Sequence, residues 1–220
     1  MLRRSTAIIL ASLSFASTVD AAVVALSTPS GLAAGTRFRF LIVTSSSRDA
    51  TSTDVADYNS FVDTNAGGAT YNGSVVSWKA IASTSTVDAR DNVGGYGDNV
   101  AVYLVDGTKI ANNMTTGSGG LWSGNLLASP YRTISSLIVY TATFTGSNAD
   151  GTKSGFVLGS DDPTAGSSPD TSGAWLSNNR WPKSNTLRLY GVSQELTVIP
   201  APGAIAVLGI AGLAGRRRRR

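Results

Sequence analysis

The chain contains neither histidine nor cysteine, so any chemistry it performs must come from carboxylates, hydroxyls, amides and aromatic rings. Thiolate nucleophiles, Ser-His-Asp triads, disulfides and zinc held by His or Cys ligands are all excluded. Two acidic groups then stand out. Asp161-Asp162-Pro163, with Asp170 further along the same loop, offers the hard oxygen ligands that calcium prefers, although plain solvation produces loops of the same composition. Asp88, Asp91 and Asp98 form the second group. A pair of carboxylates can serve a glycosidase as acid and base, but Asp88-Ala-Arg-Asp91 also suits a local ion pair with Arg90 or a turn cap.

Four tryptophans, Trp78, Trp122, Trp175 and Trp181, could stack on sugar rings. Most such rings belong in a core, and Trp181 is the first choice for an exposed platform. The expected ligand contacts are therefore Trp181, Asp161, Asp162 and Asp170. No catalytic residue and no resident cofactor or metal are expected, calcium at the aspartate loop being the one candidate.

The elements that must position these residues read mostly as strands. Thr36-Arg-Phe-Arg-Phe-Leu-Ile-Val-Thr44 alternates and then turns fully apolar, as a strand entering a core does. The spacing of Val55, Tyr58, Phe61 and Val62 predicts a helix over 52–66. Thr51 or Ser52 would be its cap, Asp54 would lie in its first turn and Ala66-Gly-Gly68 would end it. Strands are expected at 74–82, after an Asn72-Gly73 turn, and at 99–105, where Asp106-Gly107 turns the chain into 108–110. Ser136 to Phe144 reads as the strongest strand late in the chain. Segments 186–193 and 195–199 close the domain, and a short helix is expected near 119–128. Long loops rich in Gly, Ser, Asn and Asp lie between, notably 145–172. No repeat period emerges.

The two ends carry the clearest targeting features. Met1-Leu-Arg-Arg4, an apolar stretch from Ala7 to Ala16, and small residues around Ala21-Ala22 read as a secretory signal peptide over 1–22. At the other end Pro200-Ala201-Pro202 precedes an apolar segment through Gly215 and then Arg216, Arg217, Arg218, Arg219 and Arg220. Prolines end a strand and start a helix, an apolar run partitions into lipid, and the arginines hold its end on the cytoplasmic side. A helix from 203 to 215 would be about 20 Å long at about 1.5 Å per residue. That is short of a bilayer core of about 30 Å and suits a transient anchor. The ends also explain the charge. Taking their seven arginines from 18 basic residues, and Asp20 from 14 acidic ones, leaves 11 against 13. The formal +4 thus belongs to the targeting segments, and nucleic-acid binding is rejected.

The C-terminal arrangement resembles the PEP-CTERM sorting signal of Gram-negative bacteria, with Ala201 standing where the family usually has Glu. The resemblance implies an exosortase-type transpeptidase as partner. It also implies an inner-membrane intermediate held by a separate C-terminal apolar helix, and a final place at the cell surface or outside the cell. The body of the chain, over most of 36–193, resembles a secreted endostatin/C-type-lectin-like domain. The resemblance rests on Phe40-Leu-Ile-Val-Thr-Ser45, Asp54-Val-Ala-Asp-Tyr-Asn59, Trp78-Lys-Ala-Ile-Ala-Ser83, Val102-Tyr-Leu-Val-Asp-Gly-Thr108, Leu121-Trp-Ser-Gly124 and Trp175-Leu-Ser177. It implies an α+β fold over 23–199, an antiparallel sheet with one or two helices and a long loop region that often hosts ligands. The chain lacks the disulfides, the zinc-binding histidines and the basic heparin face of that family. Its long loop also lacks the Glu-Pro-Asn or Gln-Pro-Asp pattern of sugar-binding lectin domains.

Two functions follow as expectations. The first is a non-catalytic exported envelope or matrix protein that contacts exopolysaccharide or a partner protein. The alternative is a secreted hydrolase acting on glycans through paired aspartates. Ice or surface adhesion ranks last, because the threonines have no fixed period.

Overall fold

The computed structural model describes residues 23–200. In chain order the elements are β1 (Ala25–Leu26), β2 (Arg37–Val43), α1 (Val55–Asn65), β3 (Thr70–Tyr71), β4 (Ser74–Val75), β5 (Trp78–Ala80), α2 (Ala89–Val93), β6 (Ala101–Leu104) and β7 (Lys109–Ala111). They continue with β8 (Ala142–Phe144), β9 (Thr164–Ser167), a 3-10 turn at Gly173–Trp175, β10 (Asn179–Arg180), β11 (Tyr190–Ser193) and β12 (Leu196–Thr197). The described chain is mainly sheet with two short α-helices. The signal peptide, Ala201, Pro202, the C-terminal apolar helix and the arginine tail lie outside the described residues. Among the described residues no helix is long and apolar enough to cross a membrane.

The principal sheet has the order β5-β11-β2-β6-β7, with β12 also paired to β2. Its centre is β2, buried from Phe38 to Val43, which explains why alternation gives way there to a continuous apolar run: a central strand covered on both faces has no polar side. One face packs Phe38, Phe40 and Ile42 against Tyr58 and Val62 of α1. The other packs Leu41, Val43 and Val192 against Val93 of α2 and against Trp122 and Trp175 of the irregular segments. Layers on both faces of one sheet make the core.

The expected antiparallel sheet is corrected in one respect. β2 and β6 run parallel, Phe38 opposite Ala101 and Leu41 opposite Leu104. Antiparallel neighbours can be joined by a tight turn, whereas parallel ones need a crossover. Here α1, β3 to β5 and α2 together form that crossover, and no local pattern in the sequence announces it. β11 and β12 pair in succession along the same edge of β2. Between them Ser193 Oγ accepts the Phe40 backbone N–H at 2.8 Å, so the interrupted ladder leaves that buried donor satisfied.

Other expectations are adjusted at their ends. α1 starts at Val55 with Asp54 as its N-cap, the carboxylate accepting Ala56 N–H at 2.9 Å. Ser52, expected as the cap, instead bonds Asp57 at 2.6 Å. The Asn72-Gly73 and Asp106-Gly107 turns form between β3 and β4 and between β6 and β7. No helix forms near 119–128. There Gly119 and Gly124 adopt positive φ, Leu126 N–H bonds Thr171 and Leu127 N–H bonds Ile110, all incompatible with a helical ladder.

The largest correction concerns 136–144. Only Ala142–Phe144 is strand, while Leu137, Ile138 and Tyr140 are exposed. Ser136 turns at φ 61°, and the chain folds back so that Thr133 N–H bonds Leu137 O and Val139 N–H bonds Tyr131 O. A surface hairpin satisfies the backbone locally and leaves the apolar side chains outside the core.

Candidate functional site

A three-stranded sheet in the order β10-β9-β8 carries an open polar groove. Its strands are short, and β10 is the edge. Asn179 pairs with Ala165 and Arg180 with Thr164, and the pairing is extended by Asn178 N–H to Ala165 O and Trp181 N–H to Pro163 O. Gly166 of β9 is required here, since a Cβ at that position would run into the Trp175 carbonyl. The loop before β9 is fastened to it. Ser154 Oγ and Thr164 Oγ1 lie 2.8 Å apart, and Ser154 Oγ also accepts Phe156 N–H at 3.0 Å. Thr164 N–H in turn bonds Phe156 O at 2.8 Å.

These bonds place Phe156 under Arg180. The guanidinium carbon lies 4.0 Å from the ring centroid, the distance of a stacked cation–π contact. The open groove around the pair has a volume of about 360 Å³, and Asn148, Ser154, Ser177 and Asn178 contribute to its wall. Among the described residues no carboxylate lines it. Among the described residues the Arg180 guanidinium makes no ion pair, and the side chains of Ser177 and Asn178 make no hydrogen bond. Amides, hydroxyls, a planar cation and a half-open aromatic face are the functional groups by which proteins grip polyhydroxyl compounds.

The residues singled out in the sequence fare differently. Trp181 is exposed, at 37%, but the groove is lined by its neighbour Arg180 and not by the indole. The other three tryptophans are buried. Trp122 and Trp175 stack at 6.5 Å, and Trp175 meets Tyr190 at 5.3 Å, so they belong to the core. Asp161 pairs with Lys183 at 2.9 Å, and the Lys183 hydrogen bond and charge hold its carboxyl below the ordinary value. Asp162 is also exposed, and Asp170 is half-buried beyond β9. Among the described residues no three acidic side chains converge as a metal site would need.

The second acidic group is likewise absorbed by the fold. Asp88 occupies the N-cap position of α2 without capping it, and its carboxylate accepts Lys153 N–H at 2.9 Å. The expected Asp88–Arg90 pair is replaced by Arg90 lying over Tyr96 at 4.5 Å. Asp98 adds its charge near the buried Arg39. Burial pushes the Arg39 guanidinium down, against the opposing charges of Glu195 and Asp98. Its N–H groups bond the carbonyls of Val93 and Ser193, a structural use of the cation.

Phe156 and Arg180 were missed in the sequence. The available signal was an aromatic set among small polar residues, Ser154-Gly-Phe156, and a polar run, Ser177-Asn-Asn-Arg180. Neither run has a period that marks an element, and only the β9–β10 pairing brings them together. Compared with known proteins, the chain matches no protein-family model and no curated protein.

Proposed function

We propose that this chain is an exported, non-catalytic protein of the cell envelope or extracellular matrix that associates with exopolysaccharide through the groove at Phe156 and Arg180. In this reading the signal peptide directs export. The PEP-CTERM-like signal at Pro200, Ala201 and Pro202 hands the chain to an exosortase-type transpeptidase, while Arg216 to Arg220 hold the inner-membrane intermediate. The domain is endostatin/C-type-lectin-like, with its long region between β7 and β11 serving as the contact surface. Two helices around a central sheet, followed by that long irregular stretch, support the fold reading.

The observation that carries the proposal is the groove itself, lined by amides and hydroxyls around an accessible aromatic ring. The engagement of individual acids by local partners supports a non-catalytic role. Asp49 is engaged by Thr51, Asp63 by the Trp78 backbone, Asp150 by Thr152 and Glu195 by Arg37. Glycosidase chemistry needs two carboxylates facing one cleft at about 5–10 Å.

The test is a glycan array probed with the purified protein, with and without calcium. Binding to extracellular polysaccharides without release of reducing ends is the expected result. Saccharide cleavage, or an absence of binding to any glycan, would sink the proposal.

A further inference from the structure

We infer that the groove selects acidic polysaccharides, reading the carboxylate of a uronic acid residue with Arg180. This inference rests on the proposed glycan association and names its ligand class.

Three observations carry it. The guanidinium carbon lies 4.0 Å from the Phe156 ring centroid, so the ring seats the cation at the groove while its N–H groups stay available as donors. A planar fork of this kind matches a carboxylate through two parallel hydrogen bonds. The second observation is the missing counter-charge: no acid lines the groove, and Arg180 makes no ion pair among the described residues. The acids of the adjoining loops are turned to other partners, Asp150 to Thr152 and Asp161 to Lys183. Asp162 is exposed outside the groove. The third is the remainder of the wall. Asn148 Nδ2 is held by Thr152 and Lys153, and Ser154 Oγ by Thr164 and Phe156. Ser177 and Asn178, whose side chains make no hydrogen bond among the described residues, supply donors and acceptors for ring hydroxyls beside the cation, so a sugar acid meets both of its functional groups in one place. A volume of about 360 Å³ is at the small end of the 300–1,000 Å³ range of ligand sites, about the room for one or two sugar units.

The experiment is calorimetric titration of the full-length protein in detergent with a trigalacturonate, its carboxyl-reduced neutral counterpart and triglutamate. Wild type is compared with Arg180→Gln, and the C-terminal arginines are common to both proteins. Arg180 is exposed, so the variant should retain its fold, which circular dichroism checks. The expected result is that wild type binds the uronate at least tenfold more tightly than either comparator, and that Arg180→Gln reduces this preference to about twofold or less. Equal binding of the neutral trisaccharide, or unchanged uronate affinity in Arg180→Gln, overturns uronate selection while glycan association stands. Triglutamate binding as tightly as the uronate also overturns it, by showing that charge alone is read. If no saccharide binds either protein, glycan association itself falls, and this inference with it.

Discussion

Gly191 of β11 lies so close to Val62 of α1 that a methyl group added to the glycine would overlap the valine Cγ1. The helix therefore meets β11 at that point through the Val62 side chain alone, with no side chain from the strand between them. Close approach of this kind locks the position of α1, whose Tyr58 and Val62 are fully buried against the sheet. Interiors are packed densely enough that one added methyl group is felt. Gly191→Ala is expected to cost about 1–3 kcal/mol through overpacking, read as a lowered urea midpoint with an unchanged slope.

The four tryptophans separate into two classes. Trp122→Ala removes a ring buried to 1% exposure and stacked on Trp175, and should cost about 3–5 kcal/mol. Trp181→Ala, on the surface, should stay within about 0.5 kcal/mol of wild type. Acrylamide quenching gives an independent check: a minor accessible fraction of the fluorescence should disappear with Trp181 and persist without Trp122.

Among the described residues Asp106 and Arg132 make the most sheltered ion pair, 2.8 Å apart with side chains 20% and 21% exposed. Burial pushes the Asp106 carboxyl up, but the Thr108 hydrogen bonds and the Arg132 charge outweigh it and hold the group below its ordinary value. A carboxyl depressed in the folded state contributes stability above its unfolded pKa, about 3.9. That contribution is lost as the pH falls through the lower folded value. Asp106→Asn should therefore cost about 1 kcal/mol at neutral pH. Denaturant melts across an acid series should show the gap to wild type closing below about pH 4.

The proposed sorting route makes a prediction about the tail. Replacing Arg216 to Arg220 by serines should abolish retention at the membrane, because the positive-inside anchor is gone, and processing should stop with it. Mass spectrometry of the exported protein from its own host reads the outcome. A wild-type mature form that still carries all five arginines would exclude cleavage and leave a tether alone.

Much of the local structure was legible because its causes are local. The α1 spacing of Val55, Tyr58, Phe61 and Val62, the Asn72-Gly73 and Asp106-Gly107 turns and the apolar run of β2 each follow from residues within one turn or one strand of each other. Asp54 illustrates the margin. The cap chemistry was present in the sequence, but which of several neighbouring hydroxyls and carboxylates takes the N–H is settled by where the chain enters the helix.

Tertiary structure decided the rest, since it depends on partners far along the chain. Residues 136–141 have the continuous apolar run of a core strand, yet β2 is already flanked by β6 on one side and by β11 and β12 on the other. With both sides of β2 taken, the segment turns back on 131–133. The parallel pairing of β2 with β6 arises from a crossover that no short window contains. The groove is the same case in functional terms. Phe156 and Arg180 stand 24 positions apart and become one surface only when β10 adds to the edge of β9. Composition excluded thiol and histidine chemistry by itself, because a missing residue type is missing in every fold. Which polar residues converge was decided by strand pairing, because convergence is a property of distances in space.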